Sequence, residues 1–327
     1  MKFAGIIAEY DPFHNGHAWQ LAQAKALGAE RVAVAMSCSL VQRGALPLLP
    51  EAVRTRSALT CGADLVFALP APCACAGAEA FARAGVALLA AAGCDSLVFG
   101  AETPDAALLM EAAELLDSDS YRAALKAQLA GGARSFAAAR QAAAAQLASD
   151  ERVAALLDKP NNNLAVEYCR AIRSLAPRME AYPLPRQGAN HGEALHSAHG
   201  QFASASALRK LWAEGGVDAI APYVPEAVFP LYQEAYAAGQ YTDFSAAERC
   251  ELALLRSACR GKAPFADIRG VSEGLEHRLE TAVRTSTTYD ELLDALTTVR
   301  YPRARMRRLA MDAALGCTAG SLPALPP

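Results

Sequence analysis

The sequence predicts an α/β protein built on a doubly wound parallel sheet, with a helical insertion and a C-terminal helical domain. Three observations predict this class. Short apolar runs alternate with helical spacings over the first 100 residues, which is the pattern of strands and helices in a parallel sheet. An alanine-rich stretch at about residues 103–158 is helical almost throughout. Beyond residue 212 the pattern is helical, with prolines as breaks.

The first strand and helix have the clearest pattern. Phe3–Ala8 is a continuous apolar run, typical of a strand buried on both faces of a sheet. A polar turn follows, and Ala18–Leu27 then has helical spacing. Further strands are expected at Val32–Met36, Leu65–Ala68, Ser96–Phe99 and Met179–Tyr182, and further helices at Glu51–Cys61, Ala78–Ala92 and Asn161–Arg173. This order of elements is Rossmann-like.

We expect two domains. Residues 1–212 form the domain with the sheet, which carries the helical insertion at about 103–158, and residues 213–327 form the helical domain. The segment 187–203 is rich in glycine, histidine and serine and is expected to be a loop, after which Ser204 starts a helix.

Charge and hydropathy exclude several classes of protein. Lys and Arg total 31 against 34 Asp and Glu, a net charge of −3, so any contact with nucleic acid has to be a local patch. The apolar stretch before Glu9 is too short for a signal peptide. No apolar stretch reaches the roughly 18 residues of a membrane span. We therefore expect a cytoplasmic protein without membrane contact.

The nine cysteines are scattered along the chain, which indicates reduced thiols rather than a disulfide framework. Cys73 and Cys75 are the only close pair. Zinc needs four ligands, or three and a water, so we expect no metal site in the protein.

The strongest motif is the segment from Glu9 to His17, directly after the first strand. Ligands of open α/β sheets bind at this edge. His14 and His17 are three residues apart with Gly16 between them, so both can face a phosphate over the N-terminus of the following helix. Both can donate hydrogen bonds to a reacting α-phosphate, and we predict that they are catalytic. The alternative is a pair of polar turn histidines.

Residues 11–17, Asp-Pro-Phe-His-Asn-Gly-His, resemble the signature of the His-x-Gly-His nucleotidyltransferase superfamily. Its members bind ATP and transfer or activate through AMP, with release of pyrophosphate. Further stretches resemble the tRNA(Met) cytidine acetate ligase family in order and spacing over most of residues 3–210. They are residues 35–44, 62–70, 98–102 and 159–168.

The resemblance implies a two-step reaction. Acetate attacks the α-phosphate of ATP, giving acetyl-adenylate and pyrophosphate, and the acetyl group then passes to N4 of the wobble cytidine of elongator tRNA(Met). Such catalysis needs positioning and electrostatics rather than a covalent enzyme intermediate. ATP, acetate and tRNA are the expected partners, and Mg²⁺ is expected with the ATP phosphates, although the sequence names no ligand for it.

The resemblance also assigns ATP-binding residues. In the first βα segment they are Ile7, Ala8, Glu9, Tyr10, Asp11, Phe13, Asn15, Gly16 and Gln20. Farther along they are Gly100, Asn161, Asn162, Arg186, Ser204, Ser206 and Arg209. The run of three asparagines aligns only to within one residue. Residues 204–209 resemble the second signature of the superfamily, which clamps the β- and γ-phosphates, although serines at a helix start are also common caps.

One dense basic cluster lies near the C-terminus. It consists of Arg300, Arg303, Arg305, Arg307 and Arg308, with Tyr301 available to stack. Arginine contacts to phosphate supply affinity without sequence information. The family carries a similar arginine-rich helix here, so the resemblance implies tRNA binding, whereas the alternative is a solvated helix face.

Other polar residues remain ambiguous in the sequence. Arg43 could contact a phosphate or tRNA, or lie solvated in a loop. The spacing of His191, His196 and His199 fits no zinc pattern, so we expect these histidines near the substrate or tRNA, or on the surface.

Three departures from the family pattern leave alternatives open. Asp11 stands where the family usually has Asn, and Asp is typical of small-molecule adenylyltransferases of the same superfamily. Cys38-Ser39 replaces the usual Gly-Asn, and the chain ends at Pro327 where the family continues for tens of residues, so we expect a shortened helical domain.

An ATP-dependent acetate ligase acting on tRNA is our first interpretation. A small-molecule adenylyltransferase is the second, and an inactive nucleotide- or RNA-binding protein is the third. The oligomeric state and the preferred carboxylate stay open.

Overall fold

The computed structural model describes residues 1–132, 135–185, 195–197 and 200–321. A parallel sheet of five strands has the order β3-β2-β1-β4-β5. The strands are β1 (Phe3–Ala8), β2 (Arg31–Ser37), β3 (Leu65–Leu69), β4 (Ser96–Ala101) and β5 (Glu180–Pro185). The predicted α/β class and parallel sheet are confirmed.

Helices lie on both faces of the sheet. Those of the sheet domain are α1 (Asn15–Ala26), α2 (Glu51–Thr60), α3 (Ala71–Ala74), α4 (Ala78–Ala91) and α9 (Pro160–Leu175). Between β4 and α9 lie α5 (Ala106–Asp117), α6 (Asp119–Ala130), α7 (Phe136–Leu147) and α8 (Glu151–Leu156). Helices α5 to α8 form the predicted helical insertion, and their apolar faces share one core with α4, α9 and β4.

The strand order reverses beside β1. Residues of β1 pair with β2 on one side, as in Ile7 with Ala35, and with β4 on the other, as in Ala4 with Ser96. A crevice opens where two parallel strands diverge into crossovers on opposite sides of the sheet. The carboxyl ends of β1 and β4 therefore define the expected ligand site.

The helices that follow belong to two different cores. They are α10 (Ala205–Gly215), α11 (Phe229–Ala237), α12 (Phe244–Ala258), α13 (Leu275–Thr285), α14 (Tyr289–Leu296) and α15 (Arg303–Ala314), with 3-10 helices at Val217–Tyr223 and Ala319–Ser321. Residues between Trp212 and Ala235 pack with β1 and α1. A separate core begins at Leu252 and ends at Ala313. The domain boundary predicted at residue 212 stays a prediction, and this packing favours one near Asp243.

Two local expectations differ from the structure. The first helix begins at Asn15 rather than Ala18, because His14 caps it. Within the segment predicted as a loop, Leu195–Ser197 (β6) and Gly200–Phe202 (β7) form an antiparallel pair. This pair is supported by Asn15, whose Nδ2 donates to the Gln201 carbonyl at 3.0 Å. Arg186, His191 and His199 lie outside the described residues, as does the side chain of His196.

In the part of the chain that the structure describes, no helix is long and apolar enough to cross a membrane. The described residues likewise contain no group of three His, Cys, Asp or Glu side chains placed to hold a metal ion.

Candidate active site

A cavity of about 340 Å³ opens at the carboxyl ends of β1 and β4. It lies at the point where the strand order reverses, as the sheet topology requires. Most of the residues predicted from the sequence line it: Ile7, Ala8, Glu9, Tyr10, Asp11, His14, Gly16, His17, Gln20, Gly100 and Asn161. Segments far apart in the sequence therefore meet in one site.

The two histidines are held by a reciprocal cap at the start of α1. The Gly16 N–H donates to His14 Nδ1 at 3.0 Å, and the His14 N–H donates to His17 Nδ1 at 3.3 Å. Because each Nδ1 accepts a hydrogen bond, the proton of each neutral ring is on Nε2. The rings stack with centroids 3.8 Å apart. The cap thus fixes two Nε2–H donors side by side in the cavity wall.

Gly16 leaves the space that the His14 ring needs. A Cβ at position 16 would lie 2.9 Å from His14 Cε1 and 3.1 Å from its Nδ1. We expect Gly16→Ala to displace the ring and lower adenylate formation about tenfold, a loss of ~1.4 kcal/mol in transition-state stabilisation.

Pyrophosphate exchange in the variant measures this effect. Gly320→Ala is the control, because a Cβ at Gly320 meets nothing within 4 Å. Displacing the ring weakens the cap on the Gly16 N–H, and the better helix propensity of alanine offsets part of that loss, so we expect stability to change by no more than ~1 kcal/mol. An exchange rate equal to that of the control would show that the ring position does not matter.

An aromatic cluster supports the histidines from below. The ring of Tyr10 lies 4.8 Å from those of Phe13 and His17. Phe13 is completely buried and does not line the cavity. Its carbonyl accepts a hydrogen bond from Tyr232 Oη at 2.8 Å. Phe13, predicted to bind ATP, therefore contributes packing beneath the site.

Asp11 is the buried centre of a charged network. Its Oδ1 accepts from the Leu48 N–H at 2.6 Å. Its Oδ2 lies 3.1 Å from Arg43 Nη2 and 3.3 Å from Arg209 Nη1. Arg209 also donates to the Asp11 carbonyl at 2.5 Å. The carboxylate thus pairs with two arginines, a charge balance that a neutral asparagine at this position could not supply.

Arg43 lies beside the site and is ion-paired there rather than solvated in a loop. Its guanidinium pairs with Asp11 and lies 5.1 Å from the ring centroid of Phe244. Burial lowers its pKa to about 10, although the charge of Asp11 opposes this change. Arg43 therefore places positive charge beside the motif loop.

Glu9 is the second carboxylate in the cavity wall. Burial raises its pKa above the ordinary value, and the hydrogen bond from the Gln42 N–H opposes that rise. The Gln42 contact ties the loop after β2 to the end of β1. A raised pKa reduces the repulsion that this carboxyl exerts on an incoming phosphate.

Asn161 and Asn162, at the start of α9, have different surroundings in the structure. Asn161 lines the cavity, and its Nδ2 donates to Glu102 Oε1 at 2.6 Å. Asn162 is buried and turned to Thr103, whose N–H donates to Asn162 Oδ1 at 2.9 Å. Glu102 Oε2 accepts from the Asn162 N–H at 2.6 Å. Asn161 is therefore the better candidate for a nucleotide contact, whereas the Asn162 side chain is engaged by Thr103.

Among the described residues, the predicted Asn15, Ser204, Ser206 and Arg209 are not part of the cavity wall. Ser204 caps α10 through the Ala207 N–H, at 3.2 Å. Ser206 Oγ lies 3.0 Å from Ser204 Oγ. Ala205, between the serines, reaches the cavity. Asn15 is buried and holds β7, as described above.

The apolar wall of the site could not be predicted from the sequence. It is formed by Phe81, Phe99, Leu164, Tyr168 and Leu184, with Trp19, Gln42, Pro185 and Ala205 at other places on the lining. The rings of Phe99 and Tyr168 lie 5.4 Å apart. These side chains follow the ordinary pattern of core residues, so only the position of their elements around the crevice shows that they line a ligand site.

The C-terminal basic cluster divides into paired and unpaired arginines. Arg303 is bound to Asp290 and Asp294, Arg300 lies 2.7 Å from Glu273, and Arg307 lies 3.2 Å from Glu248. Within the described ranges, Arg305 and Arg308 have no carboxylate at ion-pair distance. Arg305 lies over the Tyr301 ring, and Arg308 donates to the Gln42 carbonyl at 3.1 Å.

A switch-point cavity with two histidines in its wall, at the start of a helix that they cap, is the site expected of a nucleotidyltransferase. The family model described as HIGH Nucleotidyl Transferase matches residues 1–325. A protein of Syntrophotalea carbinolica called tRNA(Met) cytidine acetate ligase is 36% identical over 314 residues, which is 95% of this chain and 73% of that protein. A protein of Acetivibrio thermocellus with the same name is 33% identical over 333 residues, covering 98% and 79%.

Solved structures agree with the sequence relatives. The Thermotoga maritima TmcAL structure bound with alpha-thio ATP has a TM-score of 0.87 and 28% identity, covering 98% of this chain and 76% of that one. The apo form of the same protein has a TM-score of 0.89 and 29% identity. The chain therefore belongs to the HIGH nucleotidyl transferases and, within them, to the tRNA(Met) cytidine acetate ligase family.

Proposed function

We propose that this protein activates acetate with ATP and transfers the acetyl group to N4 of the wobble cytidine of elongator tRNA(Met). The observation that carries the proposal is the His14–His17 pair in a switch-point cavity, in a chain 36% identical to a ligase of that name. Action on tRNA further implies a cytoplasmic protein.

In the first step, an acetate oxygen attacks the α-phosphorus of ATP and pyrophosphate leaves. Charge builds on the α-phosphate oxygens, and the fixed Nε2–H groups of His14 and His17 stabilise it. Arg209 and Arg43 share the single negative charge of Asp11, so net positive charge remains beside the motif loop for the leaving pyrophosphate. Asp11 keeps these two arginines in place.

In the second step, the cytidine amine attacks the acyl carbonyl and AMP leaves. The apolar wall of Phe81, Phe99 and Tyr168 offers a surface for the adenine ring and keeps water from the activated acyl group. Asn161, fixed by Glu102, supplies the amide donors and acceptors for the nucleotide.

We expect Mg²⁺ to bind together with ATP, as the Mg–ATP complex. Its usual partners are one or two carboxylates and the phosphates. Asp11 is already engaged by Leu48, Arg43 and Arg209, and Glu9 by Gln42. The described residues around the cavity thus form no dedicated magnesium cage.

The helix α15 and the loop before it are the proposed tRNA contact. All five arginines, Arg300, Arg303, Arg305, Arg307 and Arg308, contribute positive potential, but Arg305 and Arg308 contribute most. The other three are neutralised by carboxylates, and such pairs weaken the attraction of a phosphate.

Acetate-dependent ATP–pyrophosphate exchange tests the proposal directly. We expect exchange at least about tenfold above the rate without carboxylate, followed by transfer of labelled acetate to a tRNA(Met) transcript. A transcript with uridine at the wobble position is the control for the second step. Exchange that is independent of any carboxylate would favour a small-molecule adenylyltransferase instead.

A further inference from the structure

A second and larger cavity, of about 540 Å³, lies between the sheet domain and α15. The start of α4 and the residues before it form one wall, and Leu309 and Asp312 of α15 form part of the other. Sites for small molecules and single nucleotides have volumes of about 300–1,000 Å³. Nothing in the proposed chemistry uses this cavity.

The cavity carries positive charge. Four arginines line it, Arg83, Arg269, Arg305 and Arg308, against the two carboxylates Glu79 and Asp312. The charge of Arg269 is already paired within the protein, because its guanidinium lies 2.7 Å from Asp312. It also donates a hydrogen bond to the Cys75 carbonyl. Arg305 and Arg308 keep their charge uncompensated among the described residues. Burial lowers the pKa of Arg308, and a bound anion would offset that cost.

The rest of the lining is apolar. Cys73, Cys75, Ala76 and Leu309 are buried side chains of its wall. Arg305 is held at 4.9 Å over the Tyr301 ring, which fixes one guanidinium at the edge. An apolar wall beside two fixed cations suits a nucleotide, whose base is flat and apolar on its faces and whose phosphate is an anion.

The two cavities are neighbours. Gln42 lines the active-site cavity, and its carbonyl accepts from Arg308 Nη1 at 3.1 Å. Phe81 also lines the active-site cavity, and its N–H donates at 3.0 Å to the carbonyl of Gly77, which lines the second cavity. One loop and one helical turn separate them.

We propose that the second cavity binds a nucleotide of the tRNA loop next to the acetylated cytidine, with its base on the apolar wall and its phosphate at Arg305 and Arg308. The inference rests on the proposed function, since it assumes an RNA substrate. It adds a base-binding site to what would otherwise be a purely electrostatic contact. Specific recognition of RNA loops commonly uses such splayed bases.

Gly77 allows a test that changes no charged residue. A Cβ there meets nothing within 4 Å, and the backbone is in an ordinary conformation with φ −63°. Gly77→Leu therefore adds a bulky side chain to the cavity wall, and Gly77→Ala is the reference with the same backbone. We expect Gly77→Leu to raise the KM for an anticodon stem–loop RNA about tenfold relative to Gly77→Ala. Acetyl-adenylate formation should be the same in the two variants, which also reports correct folding.

Two further arms identify the occupant. An abasic substitution beside the cytidine should raise the wild-type KM by a similar factor and add nothing in Gly77→Leu, because the two changes remove the same contact. Arg305→Gln should reduce the salt slope of RNA affinity by about one. Filter-binding Kd values are measured in parallel, so the comparison does not depend on acetyl transfer.

The results separate the two proposals. Failure of the wild type to acetylate the RNA would overturn the proposed function, while the Kd comparison still decides the cavity. Equal KM and Kd in Gly77→Leu and Gly77→Ala would overturn the inference. Cavity filling that abolishes binding of free AMP or CMP but leaves RNA affinity unchanged would also overturn it, and would assign the cavity to a free nucleotide.

Discussion

Replacing His17 by alanine is expected to lower acetate-dependent pyrophosphate exchange by about 100- to 1,000-fold, or ~3–4 kcal/mol of transition-state stabilisation. The Nε2–H of His17 is fixed because its Nδ1 accepts the His14 N–H. The donor is therefore in place before charge develops on the α-phosphate, and no reorganisation is needed during reaction. Single-turnover formation of acetyl-adenylate measures this effect without the tRNA step.

The same substitution removes half of the cap at the start of α1, so stability has to be separated from chemistry. His17→Gln keeps a side chain that can reach back to the His14 N–H, as in an ordinary capping box, but has no imidazole. We expect it to restore thermal stability without restoring exchange. His277→Ala is the matched control, because that ring is 74% exposed on a distant helix. A His17→Ala variant with more than a tenth of the wild-type rate would refute the catalytic assignment.

The part of the site within the first βα unit could be predicted because its signals are local. A continuous apolar run marks β1, and the next nine residues already contain the turn and both histidines. The predicted start of α1 is three residues late, because histidine is not among the usual N-cap residues. The cap depends on the positions of Gly16 and His17 in the folded chain.

The contacts made over long sequence distances could not be predicted. Asp11 and Arg209 are 198 residues apart, and nothing in either segment indicates that they meet. The choice between Asn161 and Asn162 depends on which face of α9 is turned to β4, which is a property of packing rather than of composition. The division of the arginine cluster likewise depends on Glu248 of α12, Asp290 of α14 and Glu273 in the turn before α13.

These long contacts also explain how Asp11 can stand where the family usually has asparagine. A buried carboxylate is costly unless it is paired. Here Arg43 and Arg209 both pair with Oδ2, and the Leu48 N–H donates a hydrogen bond to Oδ1. The departure seen in the sequence therefore fits the ligase site and does not require the small-molecule adenylyltransferase interpretation.

The largest effect on stability is expected at Arg54, a completely buried side chain on α2. Its guanidinium donates to four carbonyls, those of Leu49, Glu9, Ser37 and Cys38. Two of them, Glu9 and Ser37, are at the carboxyl ends of neighbouring strands, so Arg54 joins β1 to β2 under the active site. Burial lowers its pKa, and the charge of Asp11 opposes this change.

Arg54→Met is expected to reduce the free energy of unfolding by about 3–5 kcal/mol, because buried carbonyls left without donors cost ~1–3 kcal/mol each and methionine replaces only the volume. Arg54→Lys should recover little, since an ammonium cannot reproduce the planar fork that reaches four acceptors. Denaturant unfolding followed by tryptophan fluorescence measures the effect. Trp19 and Trp212 are the only tryptophans, and both pack in the core of β1 and α1.

Arg56→Met is the matched control for this experiment, because Arg56 lies on the same helix and is exposed. Its effect should be within ~0.5 kcal/mol of zero, as is usual for surface substitutions. If Arg54→Met unfolded at the same denaturant concentration as Arg56→Met, the four carbonyls would be satisfied in another way. The carboxyl ends of β1 and β2 would then be held by the sheet alone, and the precise placement of Glu9 would not depend on α2.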